Sequence, residues 1–275
     1  MPELPEVETV RKTLEKLVIG KTIAFVEVYW PKIIKEPADI DEFKLLLKGQ
    51  TIREIGRKGK FLIFYLDDIV LVSHLRMEGK YGVYPKSEQL DKHTHVIFSF
   101  TDETELRYRD VRKFGTMHVF PKGTEFDKLP LSRLGLEPFT KQFTTAYLKK
   151  SLEKTTRNIK AVLLDQTIVT GLGNIYVDEA LFRAKIHPER IANTLSDNEI
   201  KQLRKQIIAT LEEAVAKGGS TIRSYVNSQG EIGMFQLELN AYGQTGQPCK
   251  RCGTAIEKIK VSGRGTHICP KCQRL

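Results

Sequence analysis

The sequence predicts an α+β multidomain protein: an N-terminal helix on a two-layer antiparallel β-structure, then a helical domain, then a small C-terminal β-hairpin. Three observations carry this. Short runs rich in β-branched and aromatic residues fill 21–120, helical periodicity dominates 143–217, and all four cysteines fall in 241–275.

The chain opens MPELPEVETV. Pro5 suits the first turn of a helix, and Glu6 and Glu8 suit its positive end. Leu4, Val7, Val10, Leu14 and Leu17 recur at helical spacing. An amphipathic helix explains all of these but leaves Pro2 and Glu3 without a role. KTIAFVEVYW, GKFLIFYL, DIVLVSHL, THVIFSF, ELRYRD and GTMHVF follow as strands, interrupted by one short helix at DEFKLLLKG. Residues 121–142 hold three prolines and little periodicity, which marks an interdomain linker. Helices are expected at about 143–153, 157–165, 174–185 and 197–217. The last opens with the capping box Ser196–Glu199 and stops at Gly218–Gly219. The stretch GGSTIRSYVNSQGEIGMFQ has the glycine-rich, polar composition of a mobile loop. The expected domains are 1–130, 131–240 and 241–275.

Cys249-x2-Cys252 and Cys269-x2-Cys272 follow the two-knuckle zinc pattern, each pair spaced so that two thiolates reach one ion from a tight turn. Between them, AIEKIKV, SGRG and THIC read as a β-hairpin with Arg264 at its tip. A disulfide framework is the alternative, and a cytoplasmic chain argues against it. His267 is a further candidate ligand, but four cysteines already complete a closed site. One structural zinc ion is therefore expected.

The net charge is +10 with a pI near 9.3, which points to a polyanionic partner, nucleic acid ahead of an acidic membrane. Seven Lys/Arg against the single acid Glu257 in 241–275 concentrate that charge beside the cysteines. The longest apolar runs, such as FLIFYL, are strand-sized, far below the roughly 20 residues of a membrane helix. The N-terminus lacks the regions of a secretory signal, so a cytoplasmic, monomeric protein is expected.

MPELPEVETV, GRKGKF, SHLRMEGKYG, DKHTH, RYRDVRKFG, VTGLGNIYVDEALF, HPER, GGSTIRSYV and GRGTHICPKCQ occur in this order along the whole length. Together they make the chain resemble the bacterial formamidopyrimidine-DNA glycosylases. The resemblance implies an N-terminal β-sandwich, a helical domain with a helix–two-turns–helix element, and a C-terminal zinc finger. It also implies double-stranded DNA with oxidised bases as partner and a bacterial, nucleoid-associated location. The implied activity is excision of oxidised purines such as 8-oxoguanine and formamidopyrimidines, followed by strand cleavage.

That resemblance gives the opening residues a chemical purpose. With Met1 removed, Pro2 presents a secondary α-amine with a reference pKa near 8, against about 10.4 for lysine. Roughly a quarter to a third of such an amine is neutral near pH 7.5, against about 0.1% of an unperturbed lysine. Attack on the sugar C1′ then yields an iminium, an electron sink that acidifies the C2′ protons. Pro2 is thus the expected nucleophile and Glu3 the acid/base beside it. Glu6 either steadies them or only caps the helix. By the same resemblance Lys60 acts near the lesion, with Lys58 as its alternative, and Arg264 clamps the flanking phosphate.

Met77, Arg112 and Phe114 match the residues that fill the space left by an everted nucleotide: an apolar plug, a hydrogen-bonding group for the orphaned cytosine, and a wedge. His74, His93, Lys160 and Asn174 are further expected DNA contacts. The Gly218–Phe235 segment matches the loop that closes over the everted base. Two positions depart from the family pattern. Ala241 stands where a valine is common, and Gln244 where an arginine is common, which weakens any carried-over contact there. The rival readings are an endonuclease VIII-like enzyme for oxidised pyrimidines and a non-catalytic damage-binding zinc protein.

Overall fold

A computed structural model describes residues 1–220 and 233–275. Residues 221–232, the greater part of the segment expected to close over an everted base, lie outside the described residues. The chain divides into two compact units, one built on Met1–Ser132 with Ser220 joined to it, the other on Arg133–Gly219 with Met234–Leu275.

In the first unit, helix α1 (Leu4–Val18) carries Pro5 in its first turn and buries Leu4, Val7, Val10, Leu14 and Val18. Two sheets follow. Strands β1 (Ile23–Val28), β7 (Thr94–Phe100), β8 (Thr104–Arg109) and β6 (Lys80–Pro85) form one sheet, in that spatial order. The other is ordered β2 (Ile34–Glu36), β9 (Thr116–Pro121), β5 (Ile69–His74), β4 (Phe61–Tyr65) and β3 (Glu54–Lys58). Every pairing is antiparallel except β2 with β9, a parallel pair of one three-residue strand.

The core lies between the sheets. Val26, Val96, Phe98, Leu106 and Tyr108 from one sheet share it with Ile55, Leu62, Phe64, Leu71, Met117 and Val119 from the other. Val7, Val10 and Leu14 of α1 and Phe43 and Leu47 of helix α2 (Ile40–Leu47) close its margins. Asp39 caps α2, its Oδ1 accepting from Asp41 N at 2.8 Å and Glu42 N at 3.1 Å. Strands β2, β3 and β6 go beyond the sequence expectation. Glycine and charges within EIGRK and KYGVYP hide their alternation, and cross-strand pairing supplies what local propensity does not.

The second unit holds α3 (Thr145–Glu153), α4 (Ile159–Leu163), α5 (Asn174–Ala184) and α6 (Asp197–Ala216). Thr144, Asn158 and Ser196 accept at the N-termini of α3, α4 and α6, and the expected capping box at Ser196–Glu199 is formed. Arg183 of α5 forks onto Glu213 of α6 at 3.0 and 2.7 Å. Strands β10 (Glu257–Val261) and β11 (Arg264–Ile268) make the expected hairpin, and β11 packs on α5. Its turn is Ser262–Gly263, with φ of 49° and 75°, the two successive positive values of a type I′ hairpin. Arg264 pairs with Val261, so it is the first strand residue after the turn.

Candidate active site and nucleic-acid interface

Pro2 and Glu3 are both buried at the head of α1, where Glu3 is the N-cap residue. Glu6 is committed on both oxygens. Its Oε2 accepts from Glu3 N at 2.8 Å, and its Oε1 accepts from Ser220 N at 2.8 Å and Ser220 Oγ at 3.3 Å. It therefore fixes the backbone one residue from Pro2.

Two bonds set the direction of α1 against β3: Arg57 Nε to Glu8 Oε2 at 2.8 Å and Arg11 NH1 to Ile55 O at 3.1 Å. The helix and strand thus run antiparallel. From Glu8 back to Glu3 the helix covers about 7.5 Å, and from Arg57 to Gly59 the strand covers about 6.6 Å. The head of α1 therefore meets the β3–β4 turn, where Gly59 takes φ of 58° and Lys60 is 5% exposed. A lysine this dry is far from the solvated strand end that its sequence position suggests.

Lys60 also neighbours His74, which pairs across the sheet with Phe61 and meets its ring edge-on at 4.4 Å. Burial, then the charges of Arg76 and Lys60, push His74 down to about 3. Its Nδ1 accepts from Arg76 N at 2.9 Å, so the neutral ring carries its proton on Nε2. The unfolded chain takes up that proton below the ordinary value of 6.5 while the folded chain does not. Stability is therefore complete above pH 6.5 and falls on acidification, by about 1.4 kcal/mol per pH unit down toward the folded value. Urea unfolding of His74→Asn is expected to flatten the loss between pH 6.5 and 5. An unchanged slope would show that His74 is not held neutral.

Met77 is half-buried on the turn after β5, and Arg112 and Phe114 are exposed on the loop between β8 and β9. The Arg112 guanidinium lies 4.8 Å from the centre of the Phe114 ring, so these two are brought together. His93 is half-buried, and its carbonyl accepts from Asp110 N at 3.0 Å.

In the second unit three expected residues converge on positions 264–266. Asn174 is the first residue of α5 behind Gly173, and its Nδ2 donates to Gly265 O at 2.9 Å. Its Oδ1 is buried without a protein partner. Arg264 is exposed.

Lys160 departs from the expected DNA contact. It is 0% exposed, with Nζ 2.6 Å from Asp178 Oδ1 and 2.7 Å from Thr266 Oγ1. A side chain enclosed in this way cannot reach a phosphate, and it ties α4 to α5 and the hairpin instead. His267 belongs to the same network, its N–H donating to Asp178 Oδ2 at 2.9 Å, outside the cysteine cluster.

The ligand sulfurs of Cys249, Cys252, Cys269 and Cys272 all lie within 4.8 Å of one another. A tetrahedron with Zn–S of about 2.3 Å spaces its sulfurs by about 3.8 Å. The Cys252–Cys269 separation of 3.5 Å matches that and is far beyond a disulfide bond of about 2.05 Å. The donor set fits one closed, structural zinc site. Cys249 and Cys269 share a core cluster with Phe182, Ile256 and Ala241. Ala241 is thus a packing position, where a residue smaller than valine faces protein and not a ligand.

Three buried acids escaped the sequence reading. Asp178 and Glu179 interrupt the apolar run of α5, an oddity that marks them in retrospect. Glu179 accepts from Asn240 N, Ala241 N and Tyr242 N at 2.8–3.0 Å. Asp110, on the loop between β8 and β9, is 1% exposed.

Residues 1–117 match the formamidopyrimidine-DNA glycosylase N-terminal domain and 134–226 its H2TH domain. Residues 246–275 match the zinc finger found in FPG and IleRS. The formamidopyrimidine-DNA glycosylase of Cytobacillus firmus is 65% identical over 99% of this chain and 100% of its own. That of Bacillus subtilis is 64% identical over 99% of each. Among solved structures, a Lactococcus lactis Fpg variant in complex with Fapy-dG DNA superposes with a TM-score of 0.93 at 46% identity, covering all of both chains. A complex of that bacterium's Fpg with abasic-site DNA gives the same TM-score at 45% identity, over 99% of this chain. The architecture is that of DNA glycosylases built on a helix–two-turns–helix domain. At this identity over the full length, the chain belongs to the formamidopyrimidine-DNA glycosylase family.

Proposed function

We propose that the protein is a bifunctional DNA glycosylase and abasic-site lyase that removes formamidopyrimidines and other oxidised purines, 8-oxoguanine among them, from duplex DNA. The observation that carries this is the buried Pro2–Glu3 pair at the head of α1, its backbone fixed by Glu6 and its end set against the Lys60 turn. The related Lactococcus lactis protein forms complexes with Fapy-dG DNA and with abasic-site DNA, the substrate and the intermediate of such a reaction.

Removal of Met1 makes the Pro2 nitrogen a secondary amine. Its lone pair attacks C1′ of the lesion nucleotide as the C1′–O4′ bond opens, Glu3 supplying the proton to O4′. The base leaves C1′ with a proton, and an iminium forms between Pro2 and C1′. Loss of a C2′ proton expels the 3′ phosphate, and a second elimination expels the 5′ phosphate. Lys60 orients the lesion and its phosphate, and Arg264 clamps the neighbouring phosphate from the hairpin. Met77, Arg112 and Phe114 fill the vacated stack. His74 donates through Nε2, and His93 and Asn174 complete the contacts.

When bound, the zinc ion supplies no chemistry of its own. Its four cysteines hold the hairpin that presents Arg264. We read the protein as a monomer acting on nucleoid DNA in the bacterial cytoplasm. Among the described residues no helix is long and apolar enough to cross a membrane.

Excision of 8-oxoguanine against thymine glycol in otherwise identical duplexes tests the substrate class. Preference for the purine lesion is expected. A preference for thymine glycol would move the protein to an oxidised-pyrimidine reading, and binding without cleavage of either would remove the catalytic one.

A further inference from the structure

The loop that carries Arg112 and Phe114 is organised around one side chain. Four successive N–H groups donate to Asp110: Arg112 N to Oδ1 at 3.0 Å, Lys113 N to its carbonyl at 3.2 Å, and Phe114 N and Gly115 N to Oδ2 at 2.9 and 2.8 Å. In this shape Lys113 takes φ of 58°, a left-handed conformation that strains a non-glycine residue. Its Nζ rests 4.1 Å from the centre of the Trp30 ring. Phe114 is 51% exposed beside Arg112. A half-exposed phenylalanine on a free loop would gain by folding back onto the protein, so something must hold it outward.

Tyr108 extends the arrangement. Its hydroxyl lies 3.3 Å from Asp110 Oδ2, and its side chain is fully buried. A Cβ at Gly115 would fall 1.8 Å from that hydroxyl, and one at Gly79 would fall 2.2 Å from it. Gly79 closes the turn that carries Met77, its N–H donating to Leu75 O at 2.9 Å. The two segments expected to fill the vacated stack thus meet over one hydroxyl, and both require glycine there.

We propose that Asp110 is a positioning residue for lesion recognition: its carboxylate sets the loop so that Arg112 and Phe114 are presented together, and through Tyr108 it sets that loop against the Met77 turn. This rests on the reading of Arg112 and Phe114 given above. Opposite-base discrimination then depends on a buried residue that touches no DNA.

The isosteric variant Asp110→Asn keeps the shape but turns an N–H donor toward part of the N–H cluster. Two measurements are made on it, on Tyr108→Phe, and on Arg112→Ala. One is the fluorescence of Trp30, the only tryptophan, in the free protein. The other is the ratio of excision rates for 8-oxoguanine opposite cytosine and opposite adenine. Asp110→Asn is expected to shift the Trp30 emission as Lys113 leaves the ring. It is also expected to lower the cytosine preference by about tenfold, the scale of one lost base-reading contact. Tyr108→Phe is expected to move both readouts the same way by less, and it decides the matter should Asp110→Asn not fold.

Unchanged emission, or an equal fall in both rates that leaves their ratio intact, would overturn the proposal. Should Arg112→Ala leave the ratio untouched, the reading of Arg112 fails by itself. The Trp30 signal then still decides whether Asp110 sets the loop.

Discussion

The Met-processed protein is expected to be trapped by borohydride as a covalent adduct on Pro2 with an 8-oxoguanine:cytosine duplex. A version carrying one additional residue ahead of Pro2 should give none. In the longer version the Pro2 nitrogen is an amide, whose lone pair is delocalised into the carbonyl and cannot attack C1′. Loss of strand cleavage on the order of a thousandfold or more is expected, the scale seen when a nucleophile is removed elsewhere. Binding to damaged DNA should survive, because the phosphate-facing residues are unchanged. Mapping the adduct by mass spectrometry decides the nucleophile. An adduct on Lys60 in the longer version would show that the amine of Pro2 is dispensable. Equal cleavage by both forms would remove Pro2 from the mechanism.

Removing zinc with a chelator should have the second large effect, and it should spread beyond the finger. Cys249 and Cys269 line a cluster with Phe182 of α5, Ile256 and Ala241. Glu179 of α5 relies on residues 240–242, and the Lys160–Asp178 pair on Thr266 and His267. Structural zinc sites contribute about 10–16 kcal/mol of binding free energy in small fingers, far more than a domain's usual margin. Losing the hairpin would take the His267 N–H from Asp178 and the Thr266 hydroxyl from Lys160, leaving that buried ion pair short of hydrogen bonds at a cost of several kcal/mol. DNA binding should be lost along with a large part of the helical signal, while the β-rich unit keeps its own unfolding transition. Full DNA affinity in zinc-free protein would show that the finger contributes neither contact nor support. Loss of both transitions together would show that the β-rich unit depends on it.

How much of this was legible in the sequence depends on how local the cause was. The capping box at Ser196, the hairpin between the cysteine pairs and the stripe of α1 each follow from residues within a few positions of one another, and each reads correctly from the chain alone. Strand β3 did not, because EIGRK gains its place only by pairing with β4. Lys160 illustrates the sharper limit. A lysine in a basic protein that resembles a DNA enzyme suggests a phosphate contact, yet its partners are Asp178 and Thr266, 18 and 106 positions away. Asp110 is the opposite case. Four of its partners are residues 112–115, and an aspartate followed five positions later by glycine is a recognisable turn signal. The signal marks a turn but does not say that the turn presents Arg112 and Phe114.

The order in which the chain is made gives the buried acids of α5 a further consequence. Asp178 emerges after its partner Lys160, but Glu179 leaves the ribosome long before the N–H groups that satisfy it, of which Asn240 follows by 61 residues. At about 5–20 residues per second, that interval lasts roughly 3–12 s. Through that time α5 carries a carboxylate that cannot be buried with its hydrogen bonds made, so its packing waits for residues 240–242. A chain cut short of residue 240 therefore cannot complete its second unit.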